Sequence, residues 1–125
     1  MKKVIIRKLE ELAKGSNQER FKNAALLEKD GEIVSFASNY KKYPDPAGHA
    51  EVEVLRETCR KLDTDDLSAY SLYSLYEPCE MCMYIIASAN IKKVYFVNPV
   101  AENEKNAIKS KREKIESINL AYKIQ

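Results

Sequence analysis

Leu75-Tyr76-Glu77-Pro78-Cys79-Glu80-Met81-Cys82 reads as the end of a strand, a Glu-Pro turn and the first turn of a helix. Upstream, Ala69 to Tyr76 is rich in Tyr and Leu and predicts a strand. Downstream, Cys79 to Ala89 predicts a helix, and Lys93 to Asn98 predicts a strand that Pro99 stops. Further back, His49 to Leu62 is helical. Val52, Leu55, Cys59 and Leu62 step by three or four, and Glu57 with Lys61 forms a supporting charge pair. Asp63 to Asp66 ends that helix, and Pro44 and Pro46 punctuate the loop from Asn39 to Gly48 before it. Ala24 to Leu27 and Ile33 to Ser38 are strand-like runs flanking the turn signal Lys29-Asp30-Gly31, which predicts a hairpin. The chain opens on a helix with Ile5, Leu9 and Leu12 on one face, ended by Gly15-Ser16-Asn17. Glu102 to about Ser117 predicts a charged helix with Ala107, Ile108 and Ile115 inward, and Asn119 to Ile124 a last strand. The order α-β-β-α-β-α-β-α-β predicts an α/β fold with right-handed crossovers and a largely parallel sheet between two helix layers.

The chain has 125 residues, a length that predicts one domain over 1–125. Hydrophobic residues make up 45% and charged residues 32%, too apolar for a disordered chain. Net charge is +2, which excludes a polyanion-binding tail as the main function but allows a local basic face. No apolar run approaches a membrane span, and Lys8, Glu10 and Glu11 follow Val4 to Ile6 too closely for a signal peptide. The expected location is the cytoplasm. There the three cysteines stay reduced, available to a metal or the core.

His49 is the only histidine, with Glu51 two residues on. Cys79 and Cys82 are three apart, so both sulfurs fall on one side of a first helical turn, where the helix N-terminus favours thiolates. One imidazole and two thiolates suit Zn²⁺. Three protein ligands leave a fourth position for water, which zinc acidifies enough to yield hydroxide near neutral pH. Glu51 is then placed to take that water's proton.

His-x-Glu followed by Pro-Cys-x-x-Cys is the signature of zinc nucleobase deaminases. On it the chain resembles the cytidine deaminase-like superfamily, in the group of guanine deaminases, cytosine deaminases and tRNA adenosine deaminases. Asp45-Pro46-Ala47-Gly48-His49-Ala50-Glu51 and Leu75 to Cys82 carry the resemblance. It implies a three-layer α-β-α fold with a five-stranded mixed sheet. It further implies zinc on His49, Cys79 and Cys82, Glu51 as proton shuttle, and Ala50 (through its backbone) and Asn39 as contacts to the substrate ring. A homodimer is also implied, with Tyr122 near the end of a chain that crosses to the partner's pocket. The sequence departs from the group's usual wording at Ala47, Gly48, Glu80, Met83-Tyr84 and Asn90. These changes leave the metal site intact and bear on the pocket. Guanine deaminases also use a carboxylate from the C-terminal third. Glu102 and Glu104 match it by position only, so the role is transferred to neither.

Plainer readings stand beside these. A Cys-x-x-Cys pair is also a redox motif, but a redox site has no need of His49-Ala50-Glu51. Cys59 lies on the apolar stripe of its helix and is expected in the core. Asn39 serves equally as a turn residue, and Tyr70, Tyr73 and Tyr76 as sheet packing. Lys41 and Lys42 precede the metal helix and are the basic pair best placed to meet a phosphate. The expected reaction is hydrolytic deamination of a small base or nucleoside, guanine first. A tRNA adenosine substrate is the alternative. It calls for a strongly basic C-terminal extension, where residues 101–125 carry only a weak positive excess. A catalytically inactive, zinc-stabilised binding module is a third reading.

Overall fold

The computed structural model describes residues 2–19 and 21–99. The predicted helix Glu102–Ser117 and strand Asn119–Ile124, with Glu102, Glu104 and Tyr122, lie outside the described residues. In chain order the elements are α1 (Lys2–Ala13), β1 (Ala24–Lys29), β2 (Glu32–Ser38), α2 (Ala50–Leu62), β3 (Ser71–Tyr76), α3 (Glu80–Ser88) and β4 (Val94–Asn98). Each matches a predicted element in type and order. Their ends shift by a residue or two, as helix and strand termini do.

The sheet order is β2-β1-β3-β4. β1 runs antiparallel to both β2 and β3, and β3 runs parallel to β4. The described sheet is therefore four-stranded and mixed: the mixed character that the resemblance implies holds, the largely parallel sheet expected from the element order does not, and the expected fifth strand lies outside the described residues. The α2 crossover does join two strands of like direction, β2 and β3. The hairpin, however, folds β1 back into the gap between them, so neither strand touches its parallel mate. Only the α3 crossover joins adjacent parallel strands.

The hairpin turn is the two residues Asp30 and Gly31, with φ of 53° and 84°. Positive φ at both positions is the turn geometry that suits the twist of a tight hairpin, and Asp-Gly tolerates it best. Glu28 Oε1 accepts from the Gly31 N–H at 2.6 Å and closes the turn.

β1 separates two apolar cores. Ala24 and Leu26 face α1 and join Ile5, Leu9, Ala13 and Leu75. Ala25 and Leu27 face the other way and join Val52, Val54, Leu55, Leu72, Cys82 and Ile86 from α2, β3 and α3. This alternation makes three layers, with α1 on one face and α2 and α3 on the other. It also explains why Ala24–Leu27 reads as a continuous apolar run, since a strand covered on both faces has no polar side. Leu27 is fully buried. Leu27→Ala should lower unfolding free energy by about 3 kcal/mol, read as a lower urea midpoint with an unchanged slope.

Two side-chain expectations change. Glu57 pairs with Arg60 at 3.2 Å, not with Lys61; both partners are exposed and the pair adds little. Cys59 is half-buried, packed at the margin of the α2–α3 core. No helix among the described residues is long and apolar enough to cross a membrane.

Candidate metal centre

α2 and α3 deliver the site from their N-terminal ends. His49 is the N-cap of α2, with extended backbone (φ −85°, ψ 150°). Cys79 is the N-cap of α3 (φ −72°, ψ 171°), so the helix starts one residue later than the sequence predicts, and Cys82 follows inside the first turn. Pro78 fixes the entry into that turn and is itself buried. His49 Nδ1 lies 3.6 Å from Cys79 Sγ and 3.3 Å from Cys82 Sγ. The three ligand atoms all fall within 4.8 Å of one another. A tetrahedral zinc with the usual Zn–S and Zn–N lengths needs S···N separations of about 3.6 Å. The donors are thus already spaced for one ion, and Nδ1 is the nitrogen that meets it. Among the described residues no other cluster of His, Cys, Asp and Glu has this spacing.

The same closeness sets the protonation of the metal-free site. The Cys79 thiol is pulled down to about 4, chiefly by the hydrogen bond from Cys82 and further by His49, against the opposing effect of burial. Cys82, the donor of that bond and fully buried, is pushed up. His49 is raised above its usual value, first by its hydrogen bond with Cys79; burial opposes this. Without the ion, Cys82 therefore keeps its proton to higher pH than Cys79, and His49 holds one more readily than an ordinary imidazole. Zinc needs both sulfurs as thiolates and a neutral imidazole. Zinc binding at pH 6, below the ionisation of zinc-bound water, should therefore release between about one and two protons. Affinity should weaken as pH falls through the raised His49 pKa and strengthen above it. Calorimetry in two buffers of different ionisation enthalpy measures the number; release of three protons would show that Cys79 is an ordinary thiol.

Glu51 is 2% exposed and sits on the first turn of α2 beside the three ligands. Burial raises its pKa, against lesser lowering from hydrogen bonds and the His49 charge. Its Oε1 accepts from Asn23 Nδ2 at 2.7 Å. Asn23 lies just before β1, and no motif in the sequence marks it. Asn39 is also buried. Its Oδ1 accepts from the Asn23 N–H at 2.9 Å and its Nδ2 donates to Phe21 O at 2.6 Å, so it fastens the β2–α2 loop to the segment before β1. The Ala50 N–H belongs to the first turn of α2, where helix geometry provides no acceptor within the helix.

Asn17 grips the backbone of Lys41 from both sides, donating to its carbonyl at 2.6 Å and accepting from its N–H at 2.9 Å. A Cβ at Gly48 would stand 3.3 Å from Lys41 Cε and from Asp45 O, so glycine there lets the lysine stem lie over the turn into α2. Lys41 and Lys42 line an open cleft of about 540 Å³ with Gln18, Tyr43 and Asp45. Cys59 stands apart from the metal cluster. Tyr73 stacks on Tyr95 at 4.6 Å, as sheet packing predicts.

The sequence profile of the cytidine and deoxycytidylate deaminase zinc-binding region matches residues 1–98. The chain belongs to this family. It is 42% identical over 73 residues to a tRNA-specific adenosine deaminase of Aquifex aeolicus, covering 58% of this chain and 48% of that protein. It is 37% identical over 73 residues to a guanine deaminase of Bacillus subtilis, covering 58% of this chain and 47% of that protein.

 

The crystal structure of a Bacillus subtilis guanine deaminase superposes with a TM-score of 0.70 at 31% identity, covering 78% of this chain and 64% of that one. The chain spans about half the length of the curated relatives it matches. Membership makes this a zinc-binding deaminase fold, and His49, Cys79 and Cys82 are the residues positioned to hold the ion.

Proposed function

We propose that this protein is a zinc-dependent hydrolytic deaminase of a nucleobase or nucleoside, with guanine as the first candidate. The observation that carries the reading is the convergence of His49, Cys79 and Cys82 beside a buried Glu51. Zinc held there supplies Lewis acidity and an acidified water. Hydrolysis then adds water across a C–N bond: a C–O bond forms at the amine-bearing carbon and ammonia leaves. Glu51 takes a proton from water and passes it to a ring nitrogen; it then takes the proton of the new hydroxyl on that carbon and delivers it to the amine as the exocyclic C–N bond breaks, leaving a carbonyl. Burial suits it to this work, because a carboxylate raised towards neutral pH both accepts and returns protons readily. The Ala50 N–H and Asn39 contact the ring. The two loop-fastening bonds of Asn39 use one N–H and one lone pair and leave one of each.

An adenosine in tRNA is the second reading, supported by the 42% identity to a tRNA-specific adenosine deaminase and by Lys41 and Lys42 in the cleft. A homodimer is part of the proposal. The test is ammonia release by the zinc-loaded protein from guanine, cytosine, adenine, guanosine, cytidine, deoxycytidylate and a tRNA anticodon stem-loop, side by side. Release from guanine alone supports the first reading, and release from the stem-loop alone replaces it with the second. Full zinc occupancy with no ammonia from any substrate points to a zinc-stabilised binding module instead.

A further inference from the structure

We propose that Asn23 is a positioning residue that holds Oε1 of Glu51 and so reserves Oε2 as the oxygen that carries the proton. The inference rests on the reading of Glu51 as proton carrier. Asn23 is 3% exposed, and its side chain bridges two elements of the site. Oδ1 accepts from the Tyr76 N–H at 3.1 Å, and Nδ2 donates to Glu51 Oε1 at 2.7 Å. The orientation of the amide is not arbitrary. A peptide N–H can only donate, so the oxygen must face Tyr76 and the NH₂ group must face Glu51.

The backbone of Asn23 is held as firmly. Its N–H donates to Asn39 Oδ1, and its carbonyl accepts from the Asn39 N–H at 3.1 Å. Tyr76 is the last residue of β3, and Glu77-Pro78 leads from it into Cys79. Asn23 therefore ties the carboxylate on α2 to the strand that delivers the cysteines. A donor at Oε1 requires an acceptor there whether the carboxyl is charged or neutral. A proton on Glu51 then belongs on Oε2. Without the donor, the carboxyl is able to rotate and either oxygen can take the proton, so fewer encounters have the productive geometry.

Asn23→Asp separates this role from a structural one. Aspartate keeps an acceptor for the Tyr76 N–H, and at the 2.7 Å that separates the two side chains it replaces the neutral amide donor by a carboxyl that competes with Glu51 for its proton. The full-length zinc-loaded variant should keep one zinc per chain and lose roughly 10- to 100-fold in kcat for ammonia release from guanine, with KM little changed. Wild-type kcat in Asn23→Asp overturns the inference. The second readout does not depend on turnover. In the NMR spectrum of the ¹⁵N-labelled protein, the Asn23 side-chain amide, assigned by its loss in Asn23→Asp, should show one proton downfield and slow to exchange. Glu51→Ala should move that proton upfield and speed its exchange. An unchanged resonance in Glu51→Ala overturns the inference as well. If the wild type leaves guanine intact, the guanine reading fails and the NMR comparison decides the role of Asn23 by itself.

Discussion

Glu51→Gln keeps one zinc per chain and loses ammonia release by about 10²- to 10⁴-fold. Glutamine has nearly the shape of glutamate and still offers Oε1 to Asn23 Nδ2, so the packing around the site survives. None of the three ligand atoms is touched. Gln cannot take a proton from water or return one to a ring nitrogen, so the loss falls on kcat. Stability should not fall with it. Glu51 is 2% exposed and burial disfavours its charged form. Its pKa is raised on folding, so its charge costs stability above the folded pKa and costs nothing below the unfolded one. Neutral Gln removes that cost, and in chelator-treated protein the variant should unfold at or slightly above the wild-type temperature near pH 7. Glu53→Gln is the control. Glu53 lies two residues on, half-buried, 3.6 Å from Arg56 and away from the ligands, and its loss should leave turnover unchanged. The two variants are compared by metal analysis, an ammonia assay and a thermal melt. Turnover at the wild-type rate in Glu51→Gln would falsify the proton-carrier role.

The parts of this site legible in the sequence are those with a fixed local spacing. His49 and Glu51 share a helix start, and Cys79 and Cys82 share another, so each pair is set by one turn of backbone. The approach of the two helix starts was legible only through the two motifs taken together, because distance along the chain says nothing of distance in space. Asn23 was not legible. It stands before β1, and its bond to Glu51 spans 28 residues and arises from the path of the chain between α1 and β1. Asn39 was legible as a candidate, but both fastening bonds depend on a segment 16 to 18 residues away. In the fold, element types follow well from the apolar spacing along the chain. The strand order was less accessible, since a hairpin strand can lie on either side of its partner and the local pattern is the same in both cases. The doubly buried run Ala24–Leu27 was the one local hint that β1 lies inside the sheet.

Removing zinc should abolish turnover and lower the melting temperature together. The ion would tie the start of α2 to the start of α3, and through them two sides of one core that includes Val52, Cys82 and Ile86. Zinc that binds only the folded chain stabilises it by mass action, by about 4 kcal/mol at a thousand times its dissociation constant. For a domain of this size that is a fall of roughly 10–20 °C on chelation. Cys82→Ser should reproduce the effect. Cys82 is fully buried, and a buried hydroxyl is a harder, weaker ligand than a thiolate. The variant should purify without zinc, show no ammonia release, melt near the chelated wild type and gain nothing from added zinc. Cys59→Ser separates this from a general effect of losing a thiol, because Cys59 is half-buried and outside the ligand cluster. It should retain one zinc and full turnover. Excess zinc after chelation should restore both melting temperature and activity in the wild type, since the three donors are spaced for the ion before it binds. A wild-type melting temperature that chelation does not move, in protein shown by metal analysis to have lost its zinc, would show that the ion is not what joins the two helix starts.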